Sequence, residues 1–259
     1  MKTAILLAAH GAKESVNADA ATSNLQKVYE MTGLDTYKGY VHIEPSVLES
    51  ISRMSAEGVD RAVIVPLFTF SGMIPDIVLR KSVGAEPGSR TATIEAQGRE
   101  MEVIFTETLC DHPLMKDILL KKCEKEQATA EHTSIMLIWH GSRKAGPDDN
   151  AEMCADYLRN AGYDVICSYN EFQHPTVEEG LSKASSSKSD VLAIPMFISP
   201  GSHTISDIPP KLMLKDNCRR SVVNIHGKEV TVRYSDEIGM ESGITDIIMD
   251  RIRNVMDVS

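Results

Sequence analysis

One order of apolar runs and amphipathic stretches occurs twice in this chain, and that duplication restricts the fold more than any other feature. In the first half, residues 2–9 read as a strand and residues 12–31 as an amphipathic helix, with Val16, Ala20, Leu25, Val28 and Met31 recurring on one face. A strand through residues 37–43 follows, then a helix over about 45–57 with Pro45 in its first turn and Gly58 as its stop. The buried strand Arg61 to Phe70 closes the set and runs into Ser71-Gly72. From Ser134 the order returns: strand, helix over about 149–161 ended by Gly162, strand 164–169, helix from Pro175, strand 191–198, helix from about Thr204. The halves align at His10-Gly11 with His140-Gly141, Glu44 with Glu171, Pro66-Leu-Phe with Pro195-Met-Phe, and Asp76-Ile77 with Asp207-Ile208. The stretches beginning Gln97-Gly98 and His226-Gly227 align without a gap.

Repeated strand–helix–strand units predict parallel sheets with right-handed crossovers and helices on both faces, a three-layer α/β architecture. Two related domains are expected, 1–128 and 129–259, joined through the charged stretch Cys123 to His132. That stretch has no Pro/Gly-rich linker, which predicts close packing of the two.

Composition removes several classes of function. With 42% apolar and 25% charged residues the 259-residue chain is a globular sequence, and its longest apolar runs fall well short of a bilayer span. The apolar start enters a glycine turn and a charged helix at once, so it reads as a first strand and not a signal peptide; a cytoplasmic protein is expected. A formal charge of −10 argues against nucleic acid and anionic membranes as partners, but an anionic small molecule responds to the local charge of a cleft. Five widely spaced cysteines without a C-x-x-C argue for reduced, buried thiols, and thirteen scattered methionines argue against a Met-rich copper site.

Two strands end on histidine. Ser134-Ile-Met-Leu-Ile-Trp139 runs into His140-Gly-Ser-Arg143, and Val191 to Ile198 runs into Ser199-Pro-Gly-Ser-His203. C-terminal strand edges are where open α/β sheets bind ligands. Glu171 stands at the end of the strand between them in sequence, so two imidazoles and a carboxylate are expected over one crevice. That donor set suits Co²⁺, Fe²⁺, Ni²⁺ or Zn²⁺ and can accept protons near neutral pH. No H-E-x-x-H, EF-hand loop, G-x-S-x-G elbow or P-loop is present. Asp207 is expected either to cap the following helix or to orient His203. The first half has Ser71-Gly-Met-Ile-Pro75, about two residues shorter and without histidine, where the second has Ser199 to His203. His10 therefore reads as lacking a first-half partner, and His42, His112, His132, His174 and His226 receive no role.

The combination strand-H-G-S, strand-x-x-E and P-x-F-x-x-x-G-x-H-x-x-x-D-I in tandem halves resembles the class II chelatases, the sirohydrochlorin cobaltochelatases and ferrochelatases of the CbiX and CbiK type, over essentially the whole chain. The resemblance implies a flavodoxin-like pair of domains that bind a tetrapyrrole. It implies His140 and His203 as metal ligands and Glu171 as the acidic partner. The implied reaction inserts a divalent ion, Co²⁺ ahead of Fe²⁺ or Ni²⁺, into sirohydrochlorin, with no resident cofactor. Sirohydrochlorin is rich in carboxylates, so Arg143 and Lys144 are candidate partners for them, against the reading of solvated loop charges. His10 and Ser202 are further candidate substrate contacts. Many two-domain CbiX relatives keep the histidine pair in the first half, whereas this chain keeps it in the second, as CbiK-type enzymes do. A monomer acting as a pseudo-dimer of its halves is the expected assembly, and a non-catalytic metal or tetrapyrrole carrier is the competing function.

Overall fold

A computed structural model of the chain describes residues 1–11, 19–142, 149–215 and 218–256. It divides into two compact units, Met1–His112 with Ser242–Ser259, and Pro113–Glu241.

In the first unit, strands β1 (Thr3–Ala9), β2 (Thr36–Tyr40), β3 (Arg61–Leu67), β4 (Thr91–Ala96) and β5 (Arg99–Phe105) form one sheet in the order β2-β1-β3-β5-β4. Four strands run parallel and β4 pairs antiparallel with β5. β1 is central, and every residue from Ala4 to Ala9 is buried, as a strand covered on both faces requires. Helices α1 (Ala20–Thr32) and α2 (Val47–Ala56) follow β1 and β2. A wide helical turn, Met73–Val78, leads into the short α3 (Leu79–Ser82).

The second unit repeats this with β6 (Thr133–Trp139), β7 (Asp164–Tyr169), β8 (Asp190–Pro195), β9 (Arg220–Ile225) and β10 (Lys228–Tyr234), in the order β7-β6-β8-β10-β9. β9 is again the antiparallel edge strand. Its helices are α4 (Met115–Lys125), α5 (Asp149–Arg159), α6 (Val177–Ser187) and α7 (Ile208–Lys211), the last preceded by the wide turn His203–Asp207. A final helix, α8 (Ile244–Met256), completes the first unit.

The compact units therefore cut the chain differently from the repeat. α4 follows the first sheet in sequence but packs on α5, while α8 follows the second sheet and packs on α1. Ion pairs anchor each helix where it lies. Lys122, with no exposed side-chain surface, meets Glu241 at 2.6 Å in the second unit. Arg251 donates to the Thr108 carbonyl and pairs with Glu107 and Asp111 in the first. Cys123 to Lys125, expected in the junction, are the last turn of α4.

The antiparallel edge strands add to the expected parallel pattern. Gln97-Gly98 and His226-Gly227 all have positive φ, between 50° and 83°, as a two-residue hairpin turn between twisted strands demands. The helices expected to begin at Pro45 and Pro175 begin two residues later, and both prolines lie before the cap, after cis peptide bonds. Ser46 and Thr176 are the N-caps, each in a reciprocal box with Glu49 or Glu179, and such a cap contributes about 1 kcal/mol. The strands read to Phe70 and Ile198 end at Leu67 and Pro195. All five cysteines are free thiols, four of them buried, and burial pushes Cys123 and Cys167 up to about 12.

Candidate functional site

His140 is the first residue beyond β6, exposed at the C-terminal edge of the second sheet. Gly141 behind it has φ +91°, and a Cβ there would lie 1.9 Å from the Glu171 carbonyl oxygen. Only glycine permits that approach. The close passage lets the Glu171 amide donate to the His140 carbonyl at 2.9 Å and the Asn170 amide to the Trp139 carbonyl at 2.8 Å. β6 and β7 are thereby zipped past their last paired residues, and Glu171 is held beside His140 through the backbone.

His203 opens the wide turn after β8, in which the Ile208 amide bonds back five residues to the His203 carbonyl. Such turns are rare and recur at functional sites. The two rings meet edge to face with centroids 4.8 Å apart and planes at 82°.

Each ring has an acceptor against its Nδ1. His140 Nδ1 lies 3.0 Å from the Gly141 carbonyl oxygen, and His203 Nδ1 lies 2.7 Å from Asp207 Oδ2. Both partners can only accept, so in these contacts each Nδ1 donates and the neutral ring keeps its lone pair on Nε2, while at His203 the Asn170 amide faces the same Nδ1 as a competing donor. Asp207 makes no capping bond, which decides between its two expected roles in favour of orienting His203.

Two residues without a sequence signal complete this arrangement. Lys211 donates to both the carbonyl and Oδ1 of Asn170, at 3.0 and 2.8 Å, which turns the amide Nδ2 toward His203 Nδ1 at 3.2 Å. The rings of Phe172 and Phe197 lie 6.2 and 6.4 Å from that of His140. Phe172 is half exposed and has φ 63°, a left-handed conformation that costs a large side chain roughly 1–3 kcal/mol. Apolar surface thus flanks the imidazole pair.

Glu171 is half-buried, and among the described residues no group of three or more His, Cys, Asp or Glu side chains is arranged to hold a metal ion. The structure brings the His140 and His203 rings together and sets Glu171 next to His140 by backbone register alone. Ser202 is exposed immediately before His203. Arg143 and Lys144 lie outside the described residues.

Two readings of the first half change. The structural counterpart of Glu171 is His42, not Glu44: the His42 amide donates to the His10 carbonyl at 3.1 Å just as Glu171 does to His140. The bridges Tyr40–Ser46 and Tyr169–Thr176 also make the loop after β7 one residue longer than that after β2. His10 therefore has a histidine neighbour in its own unit. The turn corresponding to His203–Asp207 begins at Met73, which is 66% exposed.

The model of the CbiX family matches residues 4–126 and again 134–255. The chain belongs to the CbiX family. A relative, the sirohydrochlorin cobaltochelatase of Methanosarcina acetivorans, is 30% identical over 129 residues, 49% of this chain and 98% of that protein. Each half of this CbiX-family chain thus corresponds in length to a whole short relative. Among solved structures, SirB from Bacillus subtilis with Fe³⁺ superposes with a TM-score of 0.72 at 14% identity, covering 98% of this chain and 95% of that one. A Bacillus subtilis SirB in complex with cobalt gives 0.67 at 14% identity, covering 99% and 96%. At such identities these likenesses establish the fold, two chelatase-type α/β repeats in one chain.

Proposed function

We propose that this CbiX-family protein is a chelatase that inserts a divalent metal, Co²⁺ first among candidates, into sirohydrochlorin or a closely related tetrapyrrole. The observation that carries this reading is the imidazole pair, with both Nδ1 atoms tied to acceptors and both Nε2 lone pairs left for an ion. With metal–nitrogen bonds of about 2.0–2.1 Å, each ring centre stands about 3.2 Å from the ion, so two ligands at tetrahedral or right angles have centroids about 4.5–5.2 Å apart. The observed 4.8 Å falls inside that interval.

The residues do the following work. His140 and His203 are neutral ligands that hold the incoming ion on exchangeable bonds. The macrocycle accepts a divalent ion only as its two pyrrole N–H protons leave, and Glu171 beside His140 is the acceptor of one or both. A positioned base of this kind contributes about 10²–10⁴ in rate. Phe172 and Phe197 offer apolar faces to a flat ring, and Ser202, with Arg143 and Lys144, is assigned to the carboxylate rim. His10 is assigned at most a peripheral substrate contact.

The test is an anaerobic absorbance assay with sirohydrochlorin and Co²⁺, Fe²⁺ and Ni²⁺ in parallel. Turnover with at least one metal, lost in His140→Ala and His203→Ala while circular dichroism is unchanged, is the expected result. Binding of metal or tetrapyrrole without turnover by the wild-type protein would make it a carrier and refute the proposal.

A further inference from the structure

The wide turn that carries His203 leaves one buried acceptor to be satisfied from outside its own ladder. Its spacing sends the Ile208 amide to the His203 carbonyl. The next donor at that spacing would be residue 209, a proline without N–H, so the ladder gives the Thr204 carbonyl no bond. Thr204 is 1% exposed, and a carbonyl shut away from water requires a partner. The partner is the hydroxyl of Tyr234, the last residue of β10, which donates at 3.0 Å. The buried Tyr234 ring lies 4.9 Å from the Arg219 guanidinium, and Arg219 is itself tied to the Ser235 carbonyl at 3.0 Å. Burial pushes the phenol above its ordinary 10, so the hydroxyl keeps its hydrogen.

The first repeat meets the same need by another route. The Leu79 amide donates to the Ile74 carbonyl as that of Ile208 does to His203, and the Ala85 amide to the Arg80 carbonyl as that of Leu214 does to Pro209. These bonds match Ile74 with His203 and Arg80 with Pro209, two residues away from the register that Asp76-Ile77 and Asp207-Ile208 suggest in the sequence. Phe105 matches Tyr234, since they pair with Ile64 and Ala193, each two residues before the aligned Pro66 and Pro195. The carbonyl matching that of Thr204 belongs to Pro75, and its donor is Nη1 of Arg80, whose guanidinium lies 4.7 Å from the Phe105 ring centre. The turn without histidine thus has Arg80 and Phe105 where the turn with histidine has Pro209 and Tyr234. A donor on a long side chain is exchanged for one on a ring held by the sheet, and the backbone gains a proline with fixed φ.

We propose that Tyr234 is a positioning residue for His203: by taking the Thr204 carbonyl, its hydroxyl fixes the start of the wide turn and with it the direction in which the imidazole is presented. For its effect on a metal ion this rests on the chelatase reading; for its effect on the ring it does not.

Tyr234→Phe, which installs the residue of the first repeat, is compared with wild type in the full chain by two measurements. The histidine side-chain ¹H–¹⁵N spectrum without metal, with His203 assigned by its loss in His203→Ala, is expected to show the His203 signals displaced and those of the exposed His132 unmoved. Co²⁺ affinity, read by absorbance titration, is expected to fall about 10-fold, the lower end for loss of an outer support of a metal-binding histidine. Pro209→Ala added to Tyr234→Phe supplies a backbone N–H at the spacing of the turn and should return both readouts toward wild type. A folded Tyr234→Phe with lowered urea resistance but wild-type His203 signals, or with wild-type Co²⁺ affinity, would make the hydroxyl a stability anchor only and overturn the proposal. If Tyr234→Phe alone does not fold, the double variant decides: wild-type His203 signals support the proposal, and displaced ones overturn it. Wild-type Co²⁺ binding that is indifferent to His203→Ala would refute the chelatase reading instead, and the ring signals would then decide the role of Tyr234 by themselves.

Discussion

Removal of Asp207 tests the tautomer argument most directly. In the native site Asp207 Oδ2, 2.7 Å away, holds the hydrogen on His203 Nδ1, while Asn170 Nδ2, at 3.2 Å, faces the same nitrogen with a donor of its own. Asn170 is not free to turn over, because Lys211 occupies its Oδ1 at 2.8 Å. In Asp207→Ala the amide donates to Nδ1, which selects the ring tautomer with hydrogen on Nε2. That nitrogen can then no longer ligate. Loss of an outer partner of a metal-binding histidine costs about 10–100-fold in affinity or activity, equivalent to about 1.4–2.7 kcal/mol. Asp207→Ala is expected to weaken Co²⁺ binding at this site within that range, read by titration monitored through Co²⁺ absorbance. Adding Asn170→Ala removes the competing donor, so the double variant should bind Co²⁺ more tightly than Asp207→Ala alone. A double variant equal to or weaker than the single one would refute the mechanism, and Asp207 would then act through charge alone.

Four further outcomes follow from particular contacts. Glu171→Gln preserves shape but not basicity, so single-turnover metal insertion should slow by 10²-fold or more, in the range of about 10²–10⁴ for a positioned base, while tetrapyrrole affinity measured by fluorescence quenching stays within a few-fold. Gly141→Ala forces a Cβ to within 1.9 Å of a backbone oxygen and should destabilise by well over the roughly 1 kcal/mol expected for Gly33→Ala, which has φ +69° but open space around it; urea unfolding compares the two. Glu241→Gln leaves the buried Lys122 ammonium uncompensated and should cost about 3–5 kcal/mol. Burial opposes the Glu241 charge, but Lys122 and Lys125 outweigh it and hold the carboxyl below its ordinary 4.5, so the pair's stabilisation is complete above that pH and is lost as pH falls through the lower folded value, a loss that acid titration of the variant should lack. The fragment 1–128 carries α4 without its partner α5 and lacks α8, so it should bind a hydrophobic dye and melt without a cooperative transition, whereas a sharp melt would show that the repeat folds alone.

The repeat, the central strands and the two strand-end histidines of the second unit were legible in the sequence because their signals are local. Uninterrupted runs such as Ile135 to Trp139 mark strands covered on both faces, and a turn residue at the end of each places His140 and His203 at an edge. The two-residue turns Gln97-Gly98 and His226-Gly227 were equally local, and the antiparallel hairpins could have been read from them. Pairing across chains of contact was not local. Whether Glu44 or His42 matches Glu171 depends on which amide reaches the carbonyl of the neighbouring strand, and that register has no mark in the composition of the loop. The His10–His42 pair therefore emerged only from the backbone. Asn170 and Lys211 carry no motif, since their effect on His203 arises from hydrogen-bond geometry between residues 33 and 41 positions apart. The exchange of α4 and α8 is decided the same way: both helices offer an apolar face, and an apolar face does not name its partner, so the choice fell to shape and to the buried charges Lys122 and Arg251, which each find their counterions in only one unit.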